Sequence, residues 1–300
     1  MIILANDGIA ASAQKELEAL GHEVDTKHYE GEDLLKRLGE VDVVVVRSAT
    51  KIRHPEIDAG LAGKLKLVIR AGVGIDNIDA DYAKEKGLEV TNTPKASSNA
   101  VAELVLAHMM CLCRNLHKAQ RSVPAGKWLK KEYKGTEIAG KTLGIIGLGR
   151  IGRCLAQKCI ALGMTVIYED IYRNEQAEKD LPCEYVSLDE LFARADFISI
   201  HTPFLGKPVI GPEEFKKLKK GVYIVDAARG GTIDETALLQ AIEDGVVAGA
   251  GLDVFMEEPT KNEALLACDS ISFSPHIGAS TSEAQDRIGE NIVELIKEKC

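Results

Sequence analysis

The stretch that most constrains this 300-residue chain is Thr142-Leu-Gly-Ile-Ile-Gly-Leu-Gly-Arg-Ile-Gly152. Leu143 to Ile146 reads as a buried strand, and Gly147-x-Gly149-x-x-Gly152 follows it. Apolar Ile151, Leu155, Cys159 and Leu162 then recur at spacings of four, four and three, a helical period, with Gly163 as the stop. A second strand, Thr165 to Tyr168, runs into Glu169-Asp170. Strand, glycine turn, helix, strand and acid is the order of a dinucleotide-binding βαβ unit. Gly147 permits the tight turn, Gly149 lets the backbone reach a pyrophosphate, and Gly152 lets helix and strand pack closely. Arg150 and Ile151 open the helix, whose free N–H groups face the phosphates. Asp170, about twenty residues on, is placed to hold a ribose by its 2′-hydroxyl. Its charge would repel a 2′-phosphate, so NAD is expected rather than NADP, with nearby Arg173 the residue that argues the other way.

Three hundred residues suggest two domains, each large enough for its own core. A net charge of −9 argues against a nucleic-acid or anionic-membrane partner. Met1-Ile-Ile-Leu-Ala is followed at once by Asn6-Asp7, so no signal peptide is expected. The most apolar helix, around Val101 to Cys113, carries Glu103 and His108 and is too short to span a bilayer. The seven cysteines are scattered, without CxxC or Cys/His pairs at zinc spacing. No metal and a cytoplasmic location are the expectations.

The first hundred residues alternate strand and helix. Strands are expected at Ile2–Ala5, Val41–Val46, Leu67–Ile69 and Glu89–Val90, and helices up to Leu20 and over Asp33–Leu38. Gly72-Val-Gly74-Ile-Asp-Asn77 follows a strand but lacks a third glycine and a long periodic helix. Arg47-Ser48 and Arg70-Ala-Gly72 lie just past strand ends, where ligands collect in open parallel sheets. Guanidinium groups there would suit a small phosphorylated or carboxylated substrate; ordinary surface arginines are the alternative.

A long helix is expected from Ser98 or Asn99 to about His117, then a weakly periodic stretch, Val123 to Gly140, with Trp128, Lys130 and Lys131. That stretch is either an arm toward a partner subunit or a solvated loop. Ser187-Leu-Asp-Glu190 has the pattern of a capping box. Lys216, Lys217, Lys219 and Lys220 are assigned to a helix with Phe215 and Leu218. Strands Val222–Val225, Ala248–Leu252 and Ile271–Phe273 follow, and a final helix, Ser282 to Lys299, is positioned to pack back on the first domain. The fold expected is α/β: two doubly wound parallel-sheet domains, a Rossmann NAD-binding domain (residues 98–281) inserted into a flavodoxin-like substrate domain (residues 1–97 plus 282–300).

Arg229, Glu258 and His276 each follow a strand of the cofactor domain. Oxidation of a secondary alcohol by hydride transfer needs a base for the hydroxyl proton, and histidine suits it. A carboxylate on the second ring nitrogen would fix the tautomer, and Glu258 and Asp253 both qualify. An arginine can clamp the substrate carboxylate.

Nearly the whole chain resembles the D-2-hydroxyacid dehydrogenase family. The matching residues are Val46-Arg-Ser-Ala-Thr50, Arg70-Ala-Gly-Val-Gly-Ile-Asp-Asn77, Asn92-Thr-Pro94, Gly147-Leu-Gly-Arg-Ile-Gly152, His201-Thr-Pro203, Ala228-Arg-Gly-Gly231, Leu252-Asp-Val-Phe-Met-Glu-Glu-Pro259 and Pro275-His-Ile-Gly-Ala-Ser-Thr281. The first and last, with Gly126-Lys-Trp128, most resemble the phosphoglycerate-oxidising branch. The resemblance implies that Arg229 clamps the carboxylate, His276 is the acid/base and Glu258 is its partner. It implies cofactor contacts at Gly147, Gly149, Arg150, Ile151, Gly152, Asp170, His201, Thr202, Pro203, Ala227, Arg229, Asp253, His276 and Gly278. Substrate contacts are implied at Arg47, Ser48, Arg70, Gly72 and Lys130, the last reaching a neighbouring subunit's site in a homodimer joined through residues 98–140.

Two departures stand out. Ser97 occupies a position where an asparagine is frequent in that branch, and the Phe204-Leu-Gly-Lys-Pro208 loop is short. The sequence ends after the last helix without serine-binding regulatory domains, so insensitivity to serine is expected. The function implied is NAD-dependent oxidation of a small phosphorylated 2-hydroxy acid, D-3-phosphoglycerate. The alternatives are a glyoxylate/hydroxypyruvate reductase, a D-lactate dehydrogenase, or an NAD(H)-sensing corepressor on the same fold. Formate dehydrogenase is disfavoured, because that chemistry sets a glutamine beside the histidine where this chain has Glu258.

Overall fold

The computed structural model describes residues 1–300, which divide into two compact units: Met1–Ser98 with Ala279–Cys300, and Asn99–Gly278. The first unit holds a five-stranded parallel sheet of β1 (Ile2–Ala5), β2 (Glu23–Asp25), β3 (Val43–Val46), β4 (Leu67–Arg70) and β5 (Glu89–Asn92), in the order β2-β1-β3-β4-β5. All four valines of β3 are fully buried, because helices cover both faces of the sheet. On one face Val43 and Val45 pack in a cluster with Ala13 and Leu17 of helix Ala11–Ala19 and Ile288, Ile292 and Ile296 of helix Ser282–Lys299. On the other, Val44 and Val46 join Leu34, Leu38 and Ile57. Each valine contributes about 1.5–3 kcal/mol by leaving water, so one charge within β3 would offset the strand's whole advantage. The last helix thus completes the first unit's core.

The second unit holds seven parallel strands: β6 (Thr142–Ile146), β7 (Thr165–Glu169), β8 (Cys183–Tyr185), β9 (Phe197–Ile200), β10 (Val222–Asp226), β11 (Val247–Leu252) and β12 (Ile271–Phe273). Their order is β12-β11-β10-β9-β6-β7-β8, so the winding reverses between β6 and β9. A loop leaving β6 and one leaving β9 diverge there, which opens a ligand site at the strands' C-terminal ends. In the first sheet the reversal falls between β1 and β3. Both units are doubly wound α/β folds, as the alternating apolar runs predict.

The structure corrects three details. The helix expected to reach His117 ends at Cys113, and a second helix, Leu116–Ser122, begins after Asn115. Asn115 takes a left-handed φ of 53° there, a conformation asparagine tolerates better than most residues. Lys216 to Lys220 lie beyond a helix that spans only Pro212–Phe215, so they form a charged turn rather than a helical face. At Ser187 only half of the capping box forms: its side chain accepts from Glu190 N–H, whereas the Glu190 carboxylate pairs with Arg194. No helix of the chain is long and apolar enough to cross a membrane.

Candidate active site

The glycine turn after β6 is built as its spacing requires. Gly147 has a φ of +92°, and a side chain on Gly152 would come within 2.5 Å of the Gly147 carbonyl. Gly149 differs: a side chain there would meet nothing within 4 Å, so its missing Cβ leaves open space at the N-terminus of helix Arg150–Ala161. That space is part of an open cleft of about 630 Å³ lined by Leu148, Gly149, Arg150, Arg153, Asp170, Tyr172, Arg173, Asn174 and Glu175. Asp170 accepts a hydrogen bond from Leu148 N–H at 2.8 Å, tying the acid after β7 to the glycine turn. Arg173 grips Glu178 in two bonds of 2.9 and 2.8 Å. Its charge is thereby engaged, which removes its force as an argument for a 2′-phosphate. Ile151 lies half-buried against the core beneath.

The loop after β9 meets the same turn, because the space over Gly147 is bounded by the Thr202 methyl and the His201 carbonyl. His201 Nε2 bonds to Ser199 Oγ at 2.9 Å. Burial pushes the imidazole's pKa down to about 4, so the ring is neutral at physiological pH. His201 Nδ1 and Thr202 Oγ1 are buried without a hydrogen-bond partner. Pro203 is exposed beside them, and Ala227 lies half-buried after β10. Orphaned polar atoms beside an open glycine turn and helix N-terminus fit a dinucleotide with a pyrophosphate and ribose hydroxyls.

Across the C-terminal ends of β10, β11 and β12 the structure brings Arg229, Glu258 and His276 onto neighbouring loops. His276 Nδ1 lies 2.7 Å from Glu258 Oε2, and Glu258 Oε1 accepts Phe255 N–H at 3.1 Å. Burial works to raise the Glu258 carboxyl, but His276, Phe255 N–H and Arg229 hold it below its ordinary value, so it is ionised at neutral pH. The carboxylate therefore favours the Nδ1–H tautomer of His276, which leaves Nε2 as the ring's acceptor nitrogen. Asp253, the other candidate for this role, sits elsewhere. It is buried, accepts from Ser274 Oγ at 2.6 Å and from the N–H groups of Ile277 and Gly278 at 2.9 Å each, and its backbone carbonyl accepts His276 N–H. Asp253 holds the loop; Glu258 holds the ring. His276 itself adopts a left-handed φ of 52°, so the histidine is displayed by a turn that Asp253 stabilises. Gly230, next to Arg229, packs so closely under Phe255 that any side chain would overlap its carbonyl, which sets the arginine loop beneath the segment carrying Glu258.

In the first unit, Arg47 and Ser48 follow β3, and Arg70 ends β4. Asp7 organises this region by accepting Arg47 N–H at 2.6 Å, Thr50 N–H at 3.1 Å and the Thr50 hydroxyl at 2.6 Å. Asn77 donates to the carbonyls of Arg47 and Thr50 from 30 and 27 residues away. Arg70 bends back over Gly72, whose missing side chain makes room for the guanidinium. Lys130 is exposed in a stretch without regular structure. Sequence reading missed Asp7 and Asn77 because nothing local marks a residue that binds a loop tens of positions away. It also missed Arg153 and Tyr172, which line the cleft; a one-turn step from Arg150 along the helix would have found Arg153.

Residues 106–278 match the family described as the NAD-binding domain of D-isomer specific 2-hydroxyacid dehydrogenases. A hydroxypyruvate reductase of Thermotoga maritima is 49% identical over 279 residues, covering 91% of this chain and 90% of that protein. A D-3-phosphoglycerate dehydrogenase of Methanocaldococcus jannaschii is 44% identical over 298 residues. This chain covers 56% of that enzyme, so it spans little more than half the length of such relatives. Among solved structures, a D-lactate dehydrogenase from Aquifex aeolicus, complexed with NAD and lactic acid, superposes with a TM-score of 0.84 at 30% identity, over 99% of this chain and 94% of that one. The chain belongs to the D-isomer specific 2-hydroxyacid dehydrogenase family. It is an NAD-dependent dehydrogenase acting on small 2-hydroxy acids.

Proposed function

We propose that the protein oxidises D-3-phosphoglycerate to 3-phosphohydroxypyruvate, the entry to serine synthesis. The observation that carries the chemistry is the 2.7 Å His276–Glu258 pair with Arg229 on the adjoining loop. Arg229 binds the substrate carboxylate and presents C2. His276 Nε2 takes the hydroxyl proton, and ionised Glu258 stabilises the imidazolium that results. When bound, NAD accepts the hydride. Gly147, Gly149, Arg150 and Gly152 would hold its pyrophosphate, Asp170 its ribose, and His201, Thr202, Pro203, Ala227, Asp253 and Gly278 its nicotinamide half. Arg47, Ser48, Arg70 and Gly72 would take the phosphate end of the substrate, which is what favours a phosphorylated acid. The seven free thiols fit a reducing cytoplasm.

A second reading, reduction of hydroxypyruvate or glyoxylate, is favoured by the Thermotoga maritima relative, which matches this chain in length as well as sequence. A panel of NAD and NADP against phosphoglycerate, glycerate, lactate and 2-hydroxyglutarate separates the two. Two charge-assisted bonds to phosphate, each worth about 1.5–3 kcal/mol, should favour phosphoglycerate over glycerate by at least a hundredfold in kcat/KM. Preference for glycerate would select the second reading. Turnover of none would select an NAD(H)-sensing corepressor. Arg229→Ala should lower kcat/KM on every substrate by about two orders of magnitude.

We also propose a homodimer through residues 98–140. Leu116, Val123 and Trp128 are 55%, 53% and 82% exposed there, an unusual concentration of apolar surface. Lys130 would then reach the partner's substrate. Sedimentation of Trp128→Glu should show dissociation toward monomer; an unchanged wild-type monomer would end the idea.

A further inference from the structure

One hydroxyl proton in the arginine loop faces two acceptors. Asp226 ends β10 and is 2% exposed. Its Oδ1 accepts Ala228 N–H at 2.9 Å, and its Oδ2 lies 2.5 Å from Thr232 Oγ1. The same threonine oxygen lies 2.9 Å from the Arg229 carbonyl. A carbonyl can only accept, and a threonine hydroxyl has one proton to give. With Asp226 ionised, that proton serves the carboxylate or the carbonyl, and the other contact is lost. With Asp226 protonated, the acid donates to Thr232, Thr232 donates to the Arg229 carbonyl, and both contacts become hydrogen bonds.

We propose that Asp226 is a positioning residue for Arg229: protonated, it completes a chain through Thr232 that adds the hydroxyl bond to the arginine's carbonyl; ionised, it takes the threonine's proton and leaves that carbonyl only the longer Thr232 N–H bond of 3.3 Å. The functional consequence rests on the reading of Arg229 as the carboxylate clamp. The surroundings favour the protonated form near neutrality. Burial pushes the Asp226 carboxyl up to about 7, against the pull of Thr232, Ala228 N–H and Arg229, and Asp253 pushes it the same way as burial. The charged groups facing it are therefore Arg229 on its own loop and Asp253 at the end of β11. On the other flank β9 leads to His201, which burial keeps neutral. The helix that follows the loop is capped by Asp234, which accepts Ala237 N–H, and starts with Glu235, which accepts from Met256 N–H and Asn262 Nδ2. No cation on these elements other than Arg229 is placed to hold Asp226 ionised.

Asp226→Asn reproduces the protonated form, because its amide donates to Thr232 while its carbonyl accepts Ala228 N–H. The ratio of kcat/KM, variant over wild type, cancels every pH effect common to both. It should stay near one at pH 6 and rise about three- to tenfold by pH 8.5, the worth of one hydrogen bond. Thr232→Val, which deletes the shared hydroxyl, should depress kcat/KM at every pH and abolish the pH dependence of that ratio when combined with Asp226→Asn. A flat ratio for Asp226→Asn alone overturns the proposal. Isotope-edited infrared difference spectra of the wild-type chain between pH 5.5 and 8.5 give a second readout that needs no variant. Loss of a protonated-carboxyl band that is missing in Asp226→Asn supports the proposal; an Asp226 already ionised at pH 5.5 overturns it. Arg229→Lys with normal kcat/KM would instead sink the clamp reading and leave the infrared titration unchanged.

Discussion

Two glycines, one in each unit, follow parallel strands in similar motifs and do opposite things. Gly149, after β6, has nothing within 4 Å of where a side chain would begin, so the space there is open. Gly72, after β4, has that space filled by the guanidinium of Arg70 from its own chain. The first leaves open space at a helix N-terminus, the place proposed for phosphates; the second holds a charged side chain at a strand end. A helix makes the difference. Arg150–Ala161 begins directly after Gly149 and brings its free N–H groups to the opening, whereas Gly72 leads into an irregular turn that ends in a six-residue helix, Ala80–Glu85. On the proposed function, anion recognition falls to backbone in one unit and to arginines in the other.

The largest effect that would test this division is at the chemistry itself. His276→Ala should lower kcat by about two to four orders of magnitude, far more than it weakens NAD binding. Near-normal turnover would show that the second unit does not supply the acid/base. Next, Gly149→Val should weaken NAD binding about a hundredfold by filling the opening, with little loss of stability because no neighbour is displaced. Gly72→Ala should do the reverse. It should raise the KM for phosphoglycerate about tenfold by evicting Arg70 and leave the NAD Kd unchanged in a fluorescence titration. If both variants changed the same constant, the two glycines would share one role and the contrast would fail.

The smallest effect concerns stability. Burial pushes the native Asp226 carboxyl up to about 7 from the ordinary aspartate value of 3.8, so between these limits the folded chain binds more protons than the unfolded one. Stability then falls as pH rises through that window and levels off above it. Asp226→Asn lacks this titration. Its Tm should match the wild type near pH 4 and exceed it by about 5 °C above pH 7, as measured by calorimetry. A constant Tm difference across the range would show that Asp226 does not bury its charge.

Much of the second unit was legible in the sequence because its signals are local. The period of Ile151, Leu155 and Cys159 dictates a helix, and the flanking glycines dictate how it meets β6. Asp170 and His276 stood out as candidates because each follows a strand at a spacing that dinucleotide and acid/base chemistry would use. Where the helix after Ser98 would stop was not legible, since Asn115 breaks it without a glycine or proline to mark the place.

Choosing between Glu258 and Asp253 as the partner of His276 lay beyond the sequence, since both follow β11 within a few residues. Only the fold turned Asp253 inward onto the 274–278 backbone and Glu258 onto the ring. Asp7 and Asn77, which hold the Arg47 loop, became visible only in space. Local sequence marked most strands, the helix after Gly149 and the glycine turns, because those depend on neighbours within a few residues. Which acid serves which loop emerged only in space, because it depends on which direction a buried side chain faces once strands far apart in the chain lie side by side.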